Sequence, residues 1–158
     1  RIEKQVSDLP REIGHYGICH GDFHANNFFV EENNVWVFDF DGCAYAHYLY
    51  DIASFIQACF LYGYGAGRDL KEVMEQEILH YFKIGYTLNH ECDARFWDNL
   101  ELFMMYRAAL TYMSLCEIDN IGVMEDTQKV KQFFGYLVSN DDIMASMTNA
   151  MKQMGAMK

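Results

Sequence analysis

The chain has 158 residues, 51% of them hydrophobic and 16% aromatic, which is enough for one packed domain and argues against disorder. Its formal net charge of −11 is unsuited to neutralising a phosphate backbone, so we expect no nucleic acid among its partners. No apolar run approaches the ~18 residues of a membrane span, and five scattered cysteines without a CxxC pair favour a cytoplasmic protein with reduced thiols.

The first third of the chain predicts one short helix and a few strands. Apolar residues recur at helical spacing within residues 1–9, and Pro10 ends that helix. Residues 16–19 predict a strand. Residues 27–38 predict a β-hairpin, because two aromatic and β-branched runs flank a turn at 31–34, where Asn tolerates the positive φ of tight turns.

From Tyr48 onward the pattern predicts helices. The first occupies residues 48–62, and the glycine-rich segment 63–67 is interpreted as an interhelix loop, because it follows a helix and lacks the G-x-G-x-x-G spacing. A stripe of Phe, Met and Tyr in residues 103–113 is interpreted as core. The remaining helices are predicted from the N-cap Asp69 to about residue 87, over residues 94–116, and from residue 126 to about residue 144. The fold class is therefore α+β and mostly helical, in a single domain over residues 1–158.

The most informative pattern is a polar loop that is followed, after the hairpin, by a second acidic segment. Residues 20–27 read HGDFHANN and residues 38–41 read FDFD. They place a carboxylate at Asp22, an amide five residues later at Asn27, and another carboxylate twelve residues beyond that at Asp39. This is the order of parts in a kinase catalytic loop. The sequence therefore predicts the catalytic half of a phosphotransferase.

These side chains are suited to phosphoryl transfer. A carboxylate aimed at an alcohol orients the attacking oxygen and accepts its proton, and we assign this role to Asp22. Asn27 offers Mg²⁺ a neutral oxygen, and Asp39 offers the anionic oxygen that this ion prefers. Asp41 is a candidate for a supporting or second metal carboxylate, although alternation along an extended segment can also point it elsewhere.

Residues 20–27, 38–41 and 50–53 together resemble the motifs of the aminoglycoside phosphotransferase and choline kinase-like superfamily. The resemblance covers roughly residues 13–60. It implies the C-terminal lobe of a protein-kinase-like fold, in which a small β-hairpin carries the catalytic and metal-binding loops. It also implies ATP as the phosphoryl donor and Mg²⁺ as the cofactor, with the roles already assigned to the base and the two metal ligands.

The resemblance adds supporting residues. Asp51 is implied to be a buried hydrogen-bonding anchor that braces the catalytic loop. His20 is implied to be architectural, and His24 fills the position at which small-molecule kinases carry a His. Asp41 departs from the family, in which many members have Glu.

The N-terminal lobe of this family supplies a phosphate-covering loop, a strand Lys and a helix Glu, and none of these is found before Tyr16. The chain also begins at Arg1 and not at an initiator Met. We therefore expect a C-lobe fragment of a longer enzyme, which should be inactive by itself.

The acceptor stays open among small hydroxyl compounds such as an aminoglycoside, choline or homoserine. The acidic composition leaves room for a cationic acceptor in contact with Glu101, Glu117 or Asp119. Two other functions also stay open. One is a kinase-like module that binds a ligand without catalysis, and the other is a metal-dependent hydrolase built on the H-x-D-x-H pattern of residues 20–24.

Overall fold

Two small antiparallel sheets and several helices make up the part of the chain that the structure describes. The computed structural model describes residues 1–68, 77–90, 94–118 and 125–140, together with residues 142, 145 and 149. In chain order the elements are α1 (Ile2–Ser7), β1 (Tyr16–Cys19), β2 (Phe28–Glu31), β3 (Asn34–Val37), a 3₁₀ turn (Phe40–Gly42), β4 (Ala44–His47), α2 (Leu49–Gly65), α3 (Glu77–Asn89), α4 (Ala94–Asp98), α5 (Leu100–Ile118) and α6 (Glu125–Val138). Within these residues, none of the helices has the length and apolar character needed to cross a membrane.

The strands form two separate two-stranded sheets. β2 and β3 are the predicted hairpin, in which Phe28 lies opposite Val37 and Glu31 lies opposite Asn34. The positive φ in its turn falls on Glu32 (55°) and not on an Asn, so the hairpin is confirmed but the expected reason for its turn is wrong. The predicted first strand is confirmed as β1, which pairs with β4, a strand that the sequence pattern does not predict.

The glycine-rich segment 63–67 differs from its interpretation as a loop. α2 continues through Gly65, and only Gly67, at φ 74°, adopts the left-handed conformation that ends the helix. The prediction fails because burial of the apolar helix against its neighbours outweighs the weak helix propensity of glycine. The predicted N-cap Asp69 lies outside the described residues.

Two further helix bounds differ from the predictions. The helix predicted over residues 94–116 is divided at Asn99 into α4 and α5, and Asn favours caps and turns over helix interiors. The last helix, predicted to reach about residue 144, ends at Val138. The side chains of Ser139 and Asn140 donate hydrogen bonds of 2.7 Å to carbonyl groups of its final turn, which ends the helix there.

The core lies between α2, α5 and α6. Ile52, Ile56 and Phe60 recur every fourth residue along α2 and are almost completely buried. The stripe on α5 is core at Phe103, as predicted, but Met113 is 60% exposed. The buried partners from α5 and α6 are Leu100, Met104, Ala108, Phe133 and Leu137. This packing fixes α2, whose first turn lies beside the polar loop at residues 20–27.

Candidate active site

The polar loop is anchored to α2 through Asp51. The two carboxylate oxygens of Asp51 accept hydrogen bonds from the backbone N–H groups of His20 (2.6 Å) and Gly21 (2.8 Å). Gly21 has a φ of 88° and lies so close to the backbone of Gly42 that a Cβ atom would collide with it. Only glycine fits this position. Asp51 itself is half-buried, so the expected bracing contacts are present although the burial is less than expected.

His20 connects the polar loop to the segment that leads to Asp39. Its ring is buried (6% exposed), and its Nδ1 accepts a hydrogen bond from the backbone N–H of Asp22 at 3.3 Å. The proton therefore lies on Nε2, which donates to the carbonyl of Phe38 at 2.8 Å. Because both ring nitrogens are engaged within the fold, His20 supports the position of the two segments.

Asn27 fixes the other end of the loop. Its Nδ2 donates to the backbone carbonyl of Asp22 at 2.9 Å, and the backbone carbonyl of Asn27 accepts a hydrogen bond from the backbone N–H of Phe38 at 3.0 Å. Since Nδ2 is used in this way, Oδ1 is the atom that remains for a ligand. Asn27 is 5% exposed, so its orientation is held by the surrounding protein.

Asp39 follows Phe38 directly, at the start of the 3₁₀ turn. Its backbone is left-handed, with φ 64° and ψ 59°, a conformation that costs on the order of 1 kcal/mol for a residue other than glycine. Its side chain is exposed and has no cap or ion-pair partner among the described residues. A strained, exposed carboxylate beside the loop has the donor chemistry of a hard metal ligand.

Asp41 lies within the same 3₁₀ turn and is exposed. Its supporting or metal-binding role stays a prediction. Within the described residues, no three His, Cys, Asp or Glu side chains form a group that could hold a metal ion by themselves. A metal at this site would therefore depend on an amide and on ligands from outside the protein, as Mg²⁺ in phosphoryl transfer does.

Both carboxylate oxygens of Asp22 have a partner. Oδ1 accepts a hydrogen bond of 2.5 Å from Nη2 of Arg107, and Oδ2 lies 3.3 Å from Nε2 of His24. The backbone N–H of Asn26 donates to Nδ1 of His24 at 3.2 Å, so the proton of the neutral ring is on Nε2 and faces Asp22. The Asp22 side chain is still 49% exposed, which leaves room for a further contact.

Arg107 is the part of the site that the sequence analysis misses. It lies on α5 within the stripe interpreted as core, and 85 residues separate it from Asp22. One signal exists: Arg107 is the single charged residue between Glu101 and Glu117. A cation in a helix segment that is otherwise apolar requires a partner, and the nearest candidates are carboxylates of other segments.

A cavity of about 170 Å³ opens beside Asp22, between α2, α5 and α6. Its polar wall includes Gln57, whose Nε2 donates to the carbonyl of Met104 at 2.6 Å. Among the described residues, Oε1 of Gln57 and Oγ1 of Thr111 are buried and have no hydrogen-bond partner. The apolar wall consists of Ala58, Leu61, Val130 and Phe134. The cavity thus combines a carboxylate at its mouth with a mixed polar and apolar interior, as small-molecule sites do.

Two hydroxyl or thiol groups near the loop are held in the protonated form. Burial, together with the charge of Asp22, raises the pKa of Tyr62, whose hydroxyl lies 3.4 Å from Nδ1 of His24. Burial likewise raises the pKa of Cys19 to about 12. Neither the Tyr62 hydroxyl nor the Cys19 thiol is therefore suited to accept a proton near neutral pH.

Fold and site together define a mostly helical chain with small antiparallel sheets, whose polar loop has the residue order of a kinase catalytic loop. The chain belongs to the phosphotransferase enzyme family, whose model matches residues 2–81. That match contains the loop, Asp39 and Asp51. The family resemblance and the fold class expected from the sequence are thereby confirmed.

The chain is also similar to individual proteins. The chain is 26% identical to amicoumacin kinase of Bacillus subtilis (strain 168) over 128 residues, which are 81% of this chain and 38% of that protein. It is 35% identical to an uncharacterized protein of Synechocystis over 65 residues, which are 40% of this chain and 18% of that protein. A solved structure described as amicoumacin kinase hAmiN in complex with AMP-PNP, Ca²⁺ and Ami shares the fold, with a TM-score of 0.66 at 22% identity. The match covers 90% of this chain and 43% of that one, so the chain spans about two fifths of the length of these kinases.

Proposed function

We propose that the chain is the C-terminal lobe of a small-molecule kinase, which transfers the γ-phosphoryl group of ATP to a hydroxyl group with the help of Mg²⁺. The observation that carries this proposal is the setting of Asp22. Its carboxylate is held from both sides at the mouth of a cavity, on a loop that also contains Asn27. The shorter length of the chain relative to the amicoumacin kinases supports a separate nucleotide-binding lobe in the intact protein.

The residues have distinct tasks in this reaction. Asp22 orients the acceptor hydroxyl and accepts its proton as the bond to phosphorus forms. Oδ1 of Asn27 and the carboxylate of Asp39 would hold the metal ion, and two protein oxygens leave the remaining positions to phosphate and water, as Mg²⁺ prefers. Bound Mg²⁺ would supply positive charge to the phosphate oxygens. The solved neighbour contains Ca²⁺ and AMP-PNP, which supports a divalent ion and a nucleotide at this type of site.

The acceptor would occupy the cavity beside Asp22. Among the described residues, the Asp, Glu, Lys and Arg side chains that line it are Asp22 and Arg107, which pair with each other. Glu101 and Glu117 do not line it, and Asp119 lies outside the described residues. We therefore infer that the cavity does not select for a cation. Amicoumacin is the first acceptor to test, because two of the similar proteins are amicoumacin kinases, with choline, homoserine and an aminoglycoside beside it.

Two alternatives are less well supported. A hydrolase would need His20, Asp22 and His24 on one metal ion, but both ring nitrogens of His20 are engaged by backbone groups. A binding module without catalysis needs no ordered carboxylate at Asp22. ATP-dependent phosphorylation by the intact protein separates the binding module from the kinase. A cytoplasmic location is part of the proposal, and the scattered cysteines without a CxxC pair are compatible with it.

Asp39→Asn in the intact protein tests the metal site. We expect the Mg²⁺ concentration for half-maximal activity and the KM for Mg-ATP to rise at least about tenfold, with a fall in kcat, because an anionic ligand is lost beside a highly charged ion. Glu31→Gln removes the same charge from the exposed end of β2 and serves as the control. An Asp39→Asn enzyme with unchanged Mg²⁺ dependence would contradict the assignment.

Ala58→Leu tests the acceptor cavity. The larger side chain should narrow the space between α2 and α6 and raise the KM for the acceptor by at least about tenfold, while the KM for ATP stays within about twofold. Ala66→Leu, at an exposed position just after α2, is the matched control. Equal acceptor KM values for the Ala58 variant and wild type would place the acceptor elsewhere.

A further inference from the structure

Arg107 contacts two residues of α2 in addition to its ion-pair partner Asp22. Its Nη2 lies 2.5 Å from Oδ1 of Asp22 and 3.3 Å from Oγ of Ser54. Its guanidinium carbon lies 5.4 Å from the ring centroid of Tyr50, a distance within the range of a cation–π contact. The Arg107 side chain is only 17% exposed. The guanidinium group is therefore fixed in space by α2 as well as by the loop.

This arrangement restricts the carboxylate of Asp22. Arg107 holds one oxygen and His24 holds the other, so rotation of the carboxylate about its Cβ–Cγ bond would break a contact on each side. Each carboxylate oxygen has two lone pairs, and one donor does not exhaust them. The half-exposed side chain can thus receive a hydroxyl while its plane stays fixed.

We propose that Arg107 is a positioning residue that holds the carboxylate of Asp22 in the orientation that receives the acceptor hydroxyl. This inference rests on the proposed function. In this proposal α5 contributes to the reaction, because it packs against α2 and holds Arg107 at a fixed distance from Asp22. A planar guanidinium that meets two acceptors and an aromatic face is not replaced by the compact ammonium of Lys.

Steady-state kinetics of the intact protein, with ATP and whichever of the four acceptors is turned over, test the proposal. Arg107→Met keeps much of the length and apolar stem but removes the cation, and kcat should fall about 100-fold while the KM for ATP stays within about twofold. The kcat of Arg107→Lys should lie between those of the wild type and the Met variant. Arg68→Gln, at an exposed position, is the control for the lost charge. A Met variant with wild-type kcat would overturn the proposal.

Chemical rescue separates positioning from packing. Arg107→Ala leaves space for a small planar molecule, and millimolar guanidinium should restore part of kcat. Urea has nearly the same shape without the charge and should restore little. Equal rescue by both molecules would show that Arg107 acts through packing alone, and no rescue by guanidinium in a variant with wild-type melting temperature would also count against the positioning role.

Side-chain ¹⁵N NMR of the intact protein distinguishes failure of this inference from failure of the proposed function. A held guanidinium should give slowly rotating Nη groups for Arg107 in the wild type, which become fast in Asp22→Ala. Fast rotation in the wild type would overturn the inference, whatever the enzymatic result. A held Arg107 in an intact protein that phosphorylates none of the four acceptors would instead overturn the proposed function, and the positioning role with it.

Discussion

Asp22→Asn in the intact protein should lower kcat by about 10²–10⁴-fold and leave the KM for ATP within about twofold. The amide is nearly isosteric with the carboxylate, but it cannot accept the proton of the acceptor hydroxyl. The nucleotide should be little affected, because the proposed metal ligands Asn27 and Asp39 keep their positions. Initial rates over a range of ATP and acceptor concentrations separate the two effects.

The control for this substitution is Asp8→Asn, which removes an exposed carboxylate that pairs with Lys4 on the first helix. It should behave as wild type. A kcat within about threefold of wild type for Asp22→Asn would remove the proposed base, because general-base contributions are at least about 10²-fold. A large rise in the KM for ATP with unchanged kcat would instead assign Asp22 to nucleotide binding.

The local parts of the site could be predicted from the sequence because their positions are set by short-range geometry. The hairpin brings Phe38 back beside Asn27, and the hydrogen bond between their backbone groups closes it. Two runs of aromatic and β-branched residues on either side of a turn predict such a hairpin within a dozen residues. The anchor Asp51 could be identified because a carboxylate at the start of an apolar helix needs partners, and the loop N–H groups supply them.

Arg107 could not be placed in the same way. Its partner Asp22 lies in a different segment, and nothing in the helical pattern of α5 states which loop the helix will meet. The contact depends on how α5 crosses α2, which is decided by side-chain packing along the whole interface. The same reason applies to the cavity, since its walls come from three helices.

The differences in the secondary structure also have physical causes. β4 is a short strand of four residues, two of them exposed, so its sequence carries little of the periodic pattern by which strands are recognised. Its pairing with β1 joins segments that are far apart in the sequence. Asn99 divides a run of residues that is otherwise suited to one helix, and Asn favours caps and turns over helix interiors.

Asp51→Ala should lower the free energy of unfolding of the 158-residue chain by about 3 kcal/mol, because two charge-assisted hydrogen bonds of about 1.5 kcal/mol each are lost. The N–H groups of His20 and Gly21 would lose their acceptor, and the polar loop at residues 20–27 would lose its link to α2. Asp51→Asn should cost less, since its carbonyl oxygen can still accept one of the two bonds. Urea unfolding followed by tryptophan fluorescence measures the free energy of unfolding of both variants.

The control is Asp41→Ala, which removes an exposed carboxylate from the neighbouring 3₁₀ turn and should change the free energy of unfolding by no more than about 0.5 kcal/mol. If Asp51→Ala unfolds at the same urea concentration as wild type, Asp51 does not brace the loop, and the support for the position of Asp22 must come from Arg107, His20 and Asn27.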